Sequence, residues 1–189
     1  SAVTEEIGKK RVERISLGDD YTARNGGEMN TNPSPGNKRG GLTTILEKSL
    51  GAVATGGVSP LACVFEYGEK IDTHGFVYMD SPGYDPCSVT GQIASGANII
   101  VFTTGRGSVS GYKPSPCIKL STNTGMYRRQ SGDIELDCGD ILENGVTIEE
   151  KGKHILEQIV RVASGQKTKS EELGFGGSEF VPWQIGAVM

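Results

Sequence analysis

Apolar residues recur every three or four positions over residues 148–163, the spacing that is typical of one face of an α-helix. Thr147 and Glu150 match a capping box before this helix, and Gly165 is placed to end it. We expect six apolar side chains of the helix to face the core: Ile148, Ile155, Leu156, Ile159, Val160 and Val162.

Short apolar runs bounded by turn residues predict β-strands. These runs lie at residues 61–67, 76–79, 97–103, 117–120 and 134–138. Helical spacing or helix-start signals predict further helices over residues 4–16, 44–55, 85–94 and 123–130. Apolar runs that alternate with helices are typical of a mostly parallel sheet covered by helices. We therefore predict an α/β fold with a Rossmann-like layered architecture.

Residues 17–41 show no periodicity and are rich in Gly, Asn, Pro and Asp, which predicts a long functional loop or a partly disordered one. We predict an N-terminal helix and flexible loop over 1–41, followed by an α/β domain over 42–189. The tail, residues 166–189, is expected to dock through Trp183. Because no strand is predicted before residue 42, we expect this chain to be the C-terminal part of a longer protein.

Composition excludes several partners. The net charge of −4 argues against nucleic-acid binding, and no apolar run approaches the roughly 20 residues that cross a membrane. The four cysteines contain no Cys-x-x-Cys pair, and no signal peptide is evident, so we expect a reduced, cytoplasmic protein. A small molecule is the expected partner.

The sequence Phe-Thr-Thr-Gly-Arg-Gly at residues 102–107 follows a buried apolar run. A strand that ends in this way places hydroxyls, bare amides and a positive charge where an α/β sheet binds its ligand. The candidate binding residues are Thr103, Thr104, Gly105, Arg106 and Gly107. The guanidinium can pair bidentately with a carboxylate or phosphate. The alternative is an exposed arginine in a turn.

Residues 32–41 form a second Gly- and Pro-rich segment that leads into a predicted helix. Backbone amides and Asn side chains such as Asn37 could face an anion there, although the segment lacks the Gly-Lys-Ser/Thr end of a phosphate-binding P-loop. A plain structural turn is the alternative.

Three residues are candidates for proton transfer: Glu47, Lys48 and Asp85. A Glu and Lys pair in a cleft can supply a base and a charge that neutralises a carboxylate. The alternatives are structural, because Thr44 and Glu47 match a capping box and Asp85 followed by proline matches a helix N-cap.

Metal ligands are not evident. His74 with Asp72 and Asp80 is a possible set, whereas His154 is expected on a solvated helix face. No spacing in the sequence indicates a metal site, so the ligands are unknown.

Several motifs in order resemble the altronate dehydratase and galactarate dehydratase family. They are Asn-Pro-Ser-Pro-Gly-Asn at 32–37, Gly-Gly-Leu-Thr-Thr-Ile-Leu-Glu-Lys-Ser-Leu-Gly at 40–51, Ser-Pro-Gly-Tyr-Asp at 81–85, Phe-Thr-Thr-Gly-Arg-Gly at 102–107 and the ending at 179–189. The resemblance covers about residues 30–189 and is closer to the altronate branch.

The resemblance implies a hydro-lyase that removes water from an aldonate or aldarate, such as D-altronate, to give a 2-keto-3-deoxy acid. It also implies a divalent iron or manganese cofactor. Arg106 with the Asn37 and Lys38 region would bind the substrate, and Glu47, Lys48 and Asp85 would be candidates for proton transfer. The parent chain is expected to be a homo-oligomer with an additional N-terminal region, without which this chain could be inactive. The alternatives are sulfolactate sulfo-lyase chemistry and a non-catalytic anion-binding or assembly fragment.

Overall fold

The computed structural model describes residues 1–184, which form two compact units. The first unit contains residues 1–84 and the segment that begins at Trp183, and the second contains residues 85–182. This division differs from the predicted boundary after residue 41. The N-terminal segment is not separate, because Leu61 accepts a hydrogen bond from the Val3 N–H at 3.0 Å and donates one to the Ser1 carbonyl at 2.8 Å.

The first unit combines helices with a two-stranded parallel sheet. Its elements are α1 (Glu5–Arg24), a short 3₁₀ helix (Met29–Thr31), α2 (Pro35–Arg39), α3 (Ile45–Thr55), β1 (Leu61–Phe65) and β2 (Phe76–Met79). The prediction for residues 4–16 was too short, because α1 continues for two more turns. Thr22 in this extension is buried, which shows that the segment packs rather than forming a loop.

The second unit is built around a three-stranded parallel sheet in the order β3-β4-β5. Its elements are α4 (Asp85–Ala94), β3 (Ile100–Thr104), β4 (Cys117–Ser121), α5 (Thr124–Arg129), β5 (Leu136–Asp137), α6 (Asp140–Glu143), α7 (Ile148–Ala163) and α8 (Lys169–Glu172). The predicted α/β class with parallel strands and flanking helices is confirmed. Strand β5 is shorter than the predicted 134–138.

Strand β4 is the centre of this unit, and all five of its residues are buried. Successive side chains of a strand point to opposite faces. On one face, Cys117 packs with Val89 of α4, and on the other, Ile118 and Leu120 pack with Val162 of α7. The sheet is therefore covered on both sides, as its uninterrupted burial requires.

Helix α7 has the predicted bounds and capping box, but only half of its predicted core positions are correct. Ile155, Ile159 and Val162 pack on the sheet. Leu156 and Val160, in contrast, are exposed because each lies one position, and so about 100° around the helix, from that stripe. Ile148 lies in the first turn and is also exposed. Within residues 1–184, no helix has the length and apolar character needed to cross a membrane.

Lys119, in the middle of β4, has no exposed surface. Its Nζ donates to Ser170 Oγ at 2.8 Å and to the Ser110 carbonyl at 3.2 Å, and Glu135 Oε2 lies 3.8 Å away. The Glu135 carboxylate also accepts the backbone N–H of Lys119 at 2.6 Å and that of Lys169 at 2.9 Å. One buried ion pair therefore joins the central strand to a loop, to the segment before β5 and to α8.

Lys119→Met should lower the free energy of unfolding by about 3–5 kcal/mol, because it leaves the Glu135 carboxylate buried without its cation. Urea denaturation followed by circular dichroism measures this loss. Lys153→Met is the matched control, since Lys153 is exposed and forms an ion pair with its helix neighbour Glu149. Equal, small effects of the two variants would contradict a structural role for the buried pair.

Gly139, at the start of α6, is required by space rather than by its backbone conformation. Its φ is −68°, but a Cβ there would lie 2.2 Å from the Thr124 backbone nitrogen and 2.6 Å from Asn123 carbon atoms. None of these backbone atoms can move without displacing the chain that follows β4.

We expect Gly139→Ala to destabilise the protein by about 2 kcal/mol or more, because the added methyl group meets main-chain atoms. Gly152→Ala, in the interior of α7 with open space around its Cβ, should instead stabilise it by about 0.5–1 kcal/mol. Thermal unfolding of both variants gives the comparison, and the same sign for both would contradict the steric argument.

Candidate functional site

Three parallel strands of the second unit end at one edge of the sheet. In the register of the strands, Thr104 at the end of β3 is opposite Ser121 of β4, and Ser121 is opposite Asp137 of β5. The chain leaves these strands into loops rich in Gly, Thr and Asn. The carboxyl edge of a parallel sheet is the usual place for a ligand in α/β proteins.

The backbone of residues 105–107, which we term the Arg106 loop, is held by several hydrogen bonds. Asn123 Nδ2 donates to the Gly105 carbonyl at 2.7 Å, and the Gly107 N–H donates to Thr104 Oγ1 at 3.1 Å. The Thr122 N–H donates to the Thr104 carbonyl at 3.0 Å. The Thr104 hydroxyl is therefore engaged within the loop, whereas the Thr103 side chain is exposed.

Asn123 holds two elements at once. While its Nδ2 binds the Arg106 loop, its Oδ1 accepts the Met126 N–H at 2.7 Å and so caps the N-terminus of α5. The sequence analysis missed this residue. The available signal was its place two residues beyond β4, where an asparagine both starts a helix and reaches a neighbouring strand end.

One glycine of the Arg106 loop is required, and the other is closely packed. Gly107 has a φ of +104°, and a Cβ there would lie 1.9 Å from Gln130 Oε1. At Gly105, a Cβ would lie 3.1 Å from Thr122 Oγ1. Gln130, which the sequence analysis also missed, therefore packs directly against the loop backbone.

Unlike the hydrogen-bonded backbone of the loop, the Arg106 side chain is exposed and makes no hydrogen bond or ion pair to any of residues 1–184. A rigid loop thus presents a guanidinium whose donors are open to a ligand. Such a group can bind a carboxylate through two parallel hydrogen bonds.

In the first unit, Asn37 and Lys48 are in hydrogen-bond contact. Lys48 Nζ donates to Asn32 Oδ1 at 2.7 Å and to Asn37 Oδ1 at 3.3 Å. Asn37 Oδ1 also accepts the Ser34 hydroxyl at 3.2 Å. The half-buried ammonium is therefore held by neutral oxygens, and no carboxylate of residues 1–184 forms an ion pair with it. Lys38 is exposed on α2 and is not part of this cluster.

Glu47 is a helix cap in this structure. Its Oε2 accepts from the Thr43 N–H at 2.8 Å and the Thr43 hydroxyl at 2.6 Å, while Thr44 Oγ1 accepts the Glu47 N–H at 3.2 Å. These bonds from Thr43, first from its hydroxyl and then from its amide, lower the pKa of the Glu47 carboxyl. A general base works best with a pKa near neutrality, so the geometry favours capping over proton transfer.

Asp85 is the first residue of α4, one position later in the helix than the N-cap that was predicted. Its side chain is exposed and makes no hydrogen bond or ion pair within the described part of the chain. Asn37, Lys38, Glu47 and Lys48 belong to the first unit, whereas Asp85 and the Arg106 loop belong to the second.

The described residues do not fit the divalent metal that the resemblance implies. No three His, Cys, Asp or Glu side chains in residues 1–184 are grouped so that they could hold an ion. His74 and His154 are both exposed. The set that typically holds non-haem iron, two histidines and a carboxylate, is therefore not present among residues 1–184.

Comparisons with known proteins agree with the motifs. The family model for "D-galactarate/Altronate dehydratase, C-terminal" matches residues 1–188. Galactarate dehydratase (L-threo-forming) of Escherichia coli K12 is 38% identical over 174 residues, which are 92% of this chain and 33% of that protein. Altronate dehydratase of Bacillus subtilis 168 is 35% identical over 174 residues, 92% of this chain and 35% of that protein.

A relative with a different name is also similar. The (2R)-sulfolactate sulfo-lyase subunit beta of Chromohalobacter salexigens is 36% identical over 143 residues, 75% of this chain and 37% of that protein. The chain thus spans about one third of the length of these relatives. Because the family model matches almost every residue, this chain belongs to the D-galactarate/altronate dehydratase family and corresponds to its C-terminal region.

Proposed function

We propose that this chain supplies the carboxylate-binding surface of a sugar-acid dehydratase, with Arg106 as the binding group. The observation that carries the proposal is the contrast within the Arg106 loop. Its backbone is fixed by Asn123 and Thr104, whereas its guanidinium has no partner in the described chain. Binding groups are effective when they are held in place before the ligand arrives.

The reaction proposed is the loss of water from an aldonate or aldarate such as D-altronate. A base removes the proton beside the carboxylate, the C–O bond at the next carbon breaks, and the departing hydroxide takes up a proton and leaves as water. The enol formed then tautomerises to the 2-keto-3-deoxy acid. Negative charge builds up on the substrate carboxylate as the proton leaves. A guanidinium that is already in contact with that carboxylate would stabilise this charge.

Lys48 stays a candidate for charge neutralisation within the first unit. It is half-buried and held by Asn32 and Asn37, so its position is defined in the first unit. Among the three candidates for proton transfer, Glu47 is engaged in capping, and the hydrogen bonds from Thr43 lower its pKa, away from neutrality. Asp85 stays a candidate for the base.

Sulfo-lyase chemistry is the second candidate function, supported by the similarity to the sulfolactate sulfo-lyase subunit. The substrate there also carries a carboxylate beside the reacting carbon, and the leaving group would be sulfite in place of hydroxide. The same arginine would serve both reactions, so substrate binding decides between them.

Arg106→Gln should weaken the binding of the preferred acid roughly 10- to 150-fold, because a charged hydrogen-bonding partner contributes about 1.5–3 kcal/mol. Calorimetric titration of the chain with galactarate, altronate and sulfolactate measures the effect and ranks the acids. Arg161→Gln, which removes an exposed arginine of α7, is the control and should leave binding unchanged.

A chimera extends this test to catalysis. When this chain replaces the matching region of the E. coli galactarate dehydratase, turnover is measured as a keto acid trapped with semicarbazide. A folded chain that binds none of the three acids, together with an inactive but folded chimera, would contradict the proposal.

Asn123→Ser should loosen the Arg106 loop without unfolding α5, because serine still caps a helix but cannot reach the Gly105 carbonyl. Amide relaxation by nuclear magnetic resonance should show faster motion at residues 105–107, and acid affinity should fall roughly tenfold by analogy with the loss of one hydrogen bond. In the Arg106→Gln background the same change should have no further effect on affinity. An unchanged loop in Asn123→Ser would show that Asn123 does not position Arg106.

A further inference from the structure

The first unit contains a cavity of about 1160 Å³ that the proposed function does not use. Its lining includes residues of helices α1 and α3, the ends of β1 and β2, the chain terminus at Ser1 and the side chain of Trp183. Its volume is slightly above the roughly 300–1,000 Å³ of typical small-molecule sites in proteins.

The lining of the cavity includes both ends of the two-stranded parallel sheet, with Leu61 and Phe76 at the amino edge and two carboxylates at the carboxyl edge. Glu66 directly follows β1 and Asp80 directly follows β2, and both line the cavity. The Asp80 N–H donates to the Phe65 carbonyl at 2.9 Å, which keeps the two strand ends together. The carboxyl edge is the one at which parallel sheets bind ligands.

Three arginines line the cavity. Arg14 is paired with Glu66, so its charge is already balanced. Arg24 lies in the last turn of α1. Arg11 lies with its guanidinium 3.6 Å from the centre of the Tyr78 ring and has no carboxylate within ion-pair distance among residues 1–184. Contact with this ring holds the guanidinium in place, and the group has more N–H donors than the contact uses.

Other residues that line the cavity are aromatic or apolar. Trp183 makes edge-to-face contacts with Tyr21 and Tyr67, with ring centres 5.6 and 5.4 Å apart. Aliphatic and phenyl groups complete this part of the lining: Ile15, Ile45, Leu61 and Phe76. A sugar acid would leave several hydroxyl groups against these side chains without hydrogen bonds, at a cost of about 1–3 kcal/mol each.

We propose that this cavity is a second ligand site, which binds a small aromatic carboxylate. The ring lies among the apolar and aromatic side chains, where edge-to-face packing is favourable. The carboxylate is bound by the in-plane donors of Arg11. The site is different in chemistry from the Arg106 loop, which offers hydroxyls and a guanidinium but no apolar wall.

The test is calorimetric titration of the 189-residue chain with 2-naphthoate and with 2-naphthol, which has the same rings and no carboxylate. Arg11→Gln should weaken 2-naphthoate binding at least tenfold and leave 2-naphthol binding unchanged, whereas Arg11→Lys should retain most of the 2-naphthoate affinity. Arg39→Gln is the matched control, because Arg39 is an exposed arginine of the first unit that does not line the cavity.

Ser49→Phe provides a second measurement that does not depend on Arg11. Ser49 lines the cavity from an exposed position on α3, so a phenyl group there should occupy the space without disturbing a core and should abolish the binding of both probes. Absence of 2-naphthoate binding to the folded wild-type chain, or equal effects of Arg11→Gln and Arg39→Gln, would overturn the proposal. So would displacement of 2-naphthoate by galactarate, or a concentration-dependent dimer that closes the cavity.

Discussion

The second unit depends on a positive charge inside its sheet. Lys119 has no solvent-exposed surface, so each of its donors needs a partner from the protein. Those partners, the Ser110 carbonyl, Ser170 Oγ and the nearby Glu135 carboxylate, lie in three different segments. The need to satisfy one ammonium therefore fixes how the loop after β3, the approach to β5 and helix α8 meet the central strand.

The same cluster helps to explain why the Arg106 loop is a defined structure. The chain that leaves β3 is held near its start by Asn123, at the Gly105 carbonyl, and further along by Lys119, at the Ser110 carbonyl. Between these points the backbone has few conformations left, and Gln130 packs against Gly107. The carbonyls of Gly105 and Ser110 are thus paired within the protein, whereas the Arg106 side chain stays open to a ligand.

Sequence patterns predicted what depends on local contacts. The capping box and bounds of α7, the parallel α/β class and the position of the Arg106 loop follow from spacing within one segment. The chain also has the predicted docking of Trp183, which packs on Tyr21 and Tyr67, although residues 185–189 of that tail lie outside the described part. The length of α1 was missed because tertiary packing, which buries Thr22, overrides a segment rich in helix-breaking residues.

Partners distant in sequence could not be predicted. The contact of Asn123 with Gly105 and that of Lys48 with Asn32 join residues 18 and 16 positions apart, and neither leaves a periodic signal. For Glu47, two roles were compatible with one pattern, and only the geometry of Thr43 favours the cap. The sequence is the same whether a carboxylate takes up a proton or accepts hydrogen bonds from backbone amides.

Trp183 gives the chain an internal optical reporter. It is the single tryptophan, and its indole belongs to the first unit, in edge contact with two tyrosines. Tyrosines at this separation transfer excitation to it, so its emission senses the packing of α1 against the segment after β1. The second unit contains no tryptophan. Tryptophan fluorescence therefore follows the unfolding of the first unit, while far-ultraviolet circular dichroism follows both units. Comparison of the two unfolding curves shows whether the units unfold together.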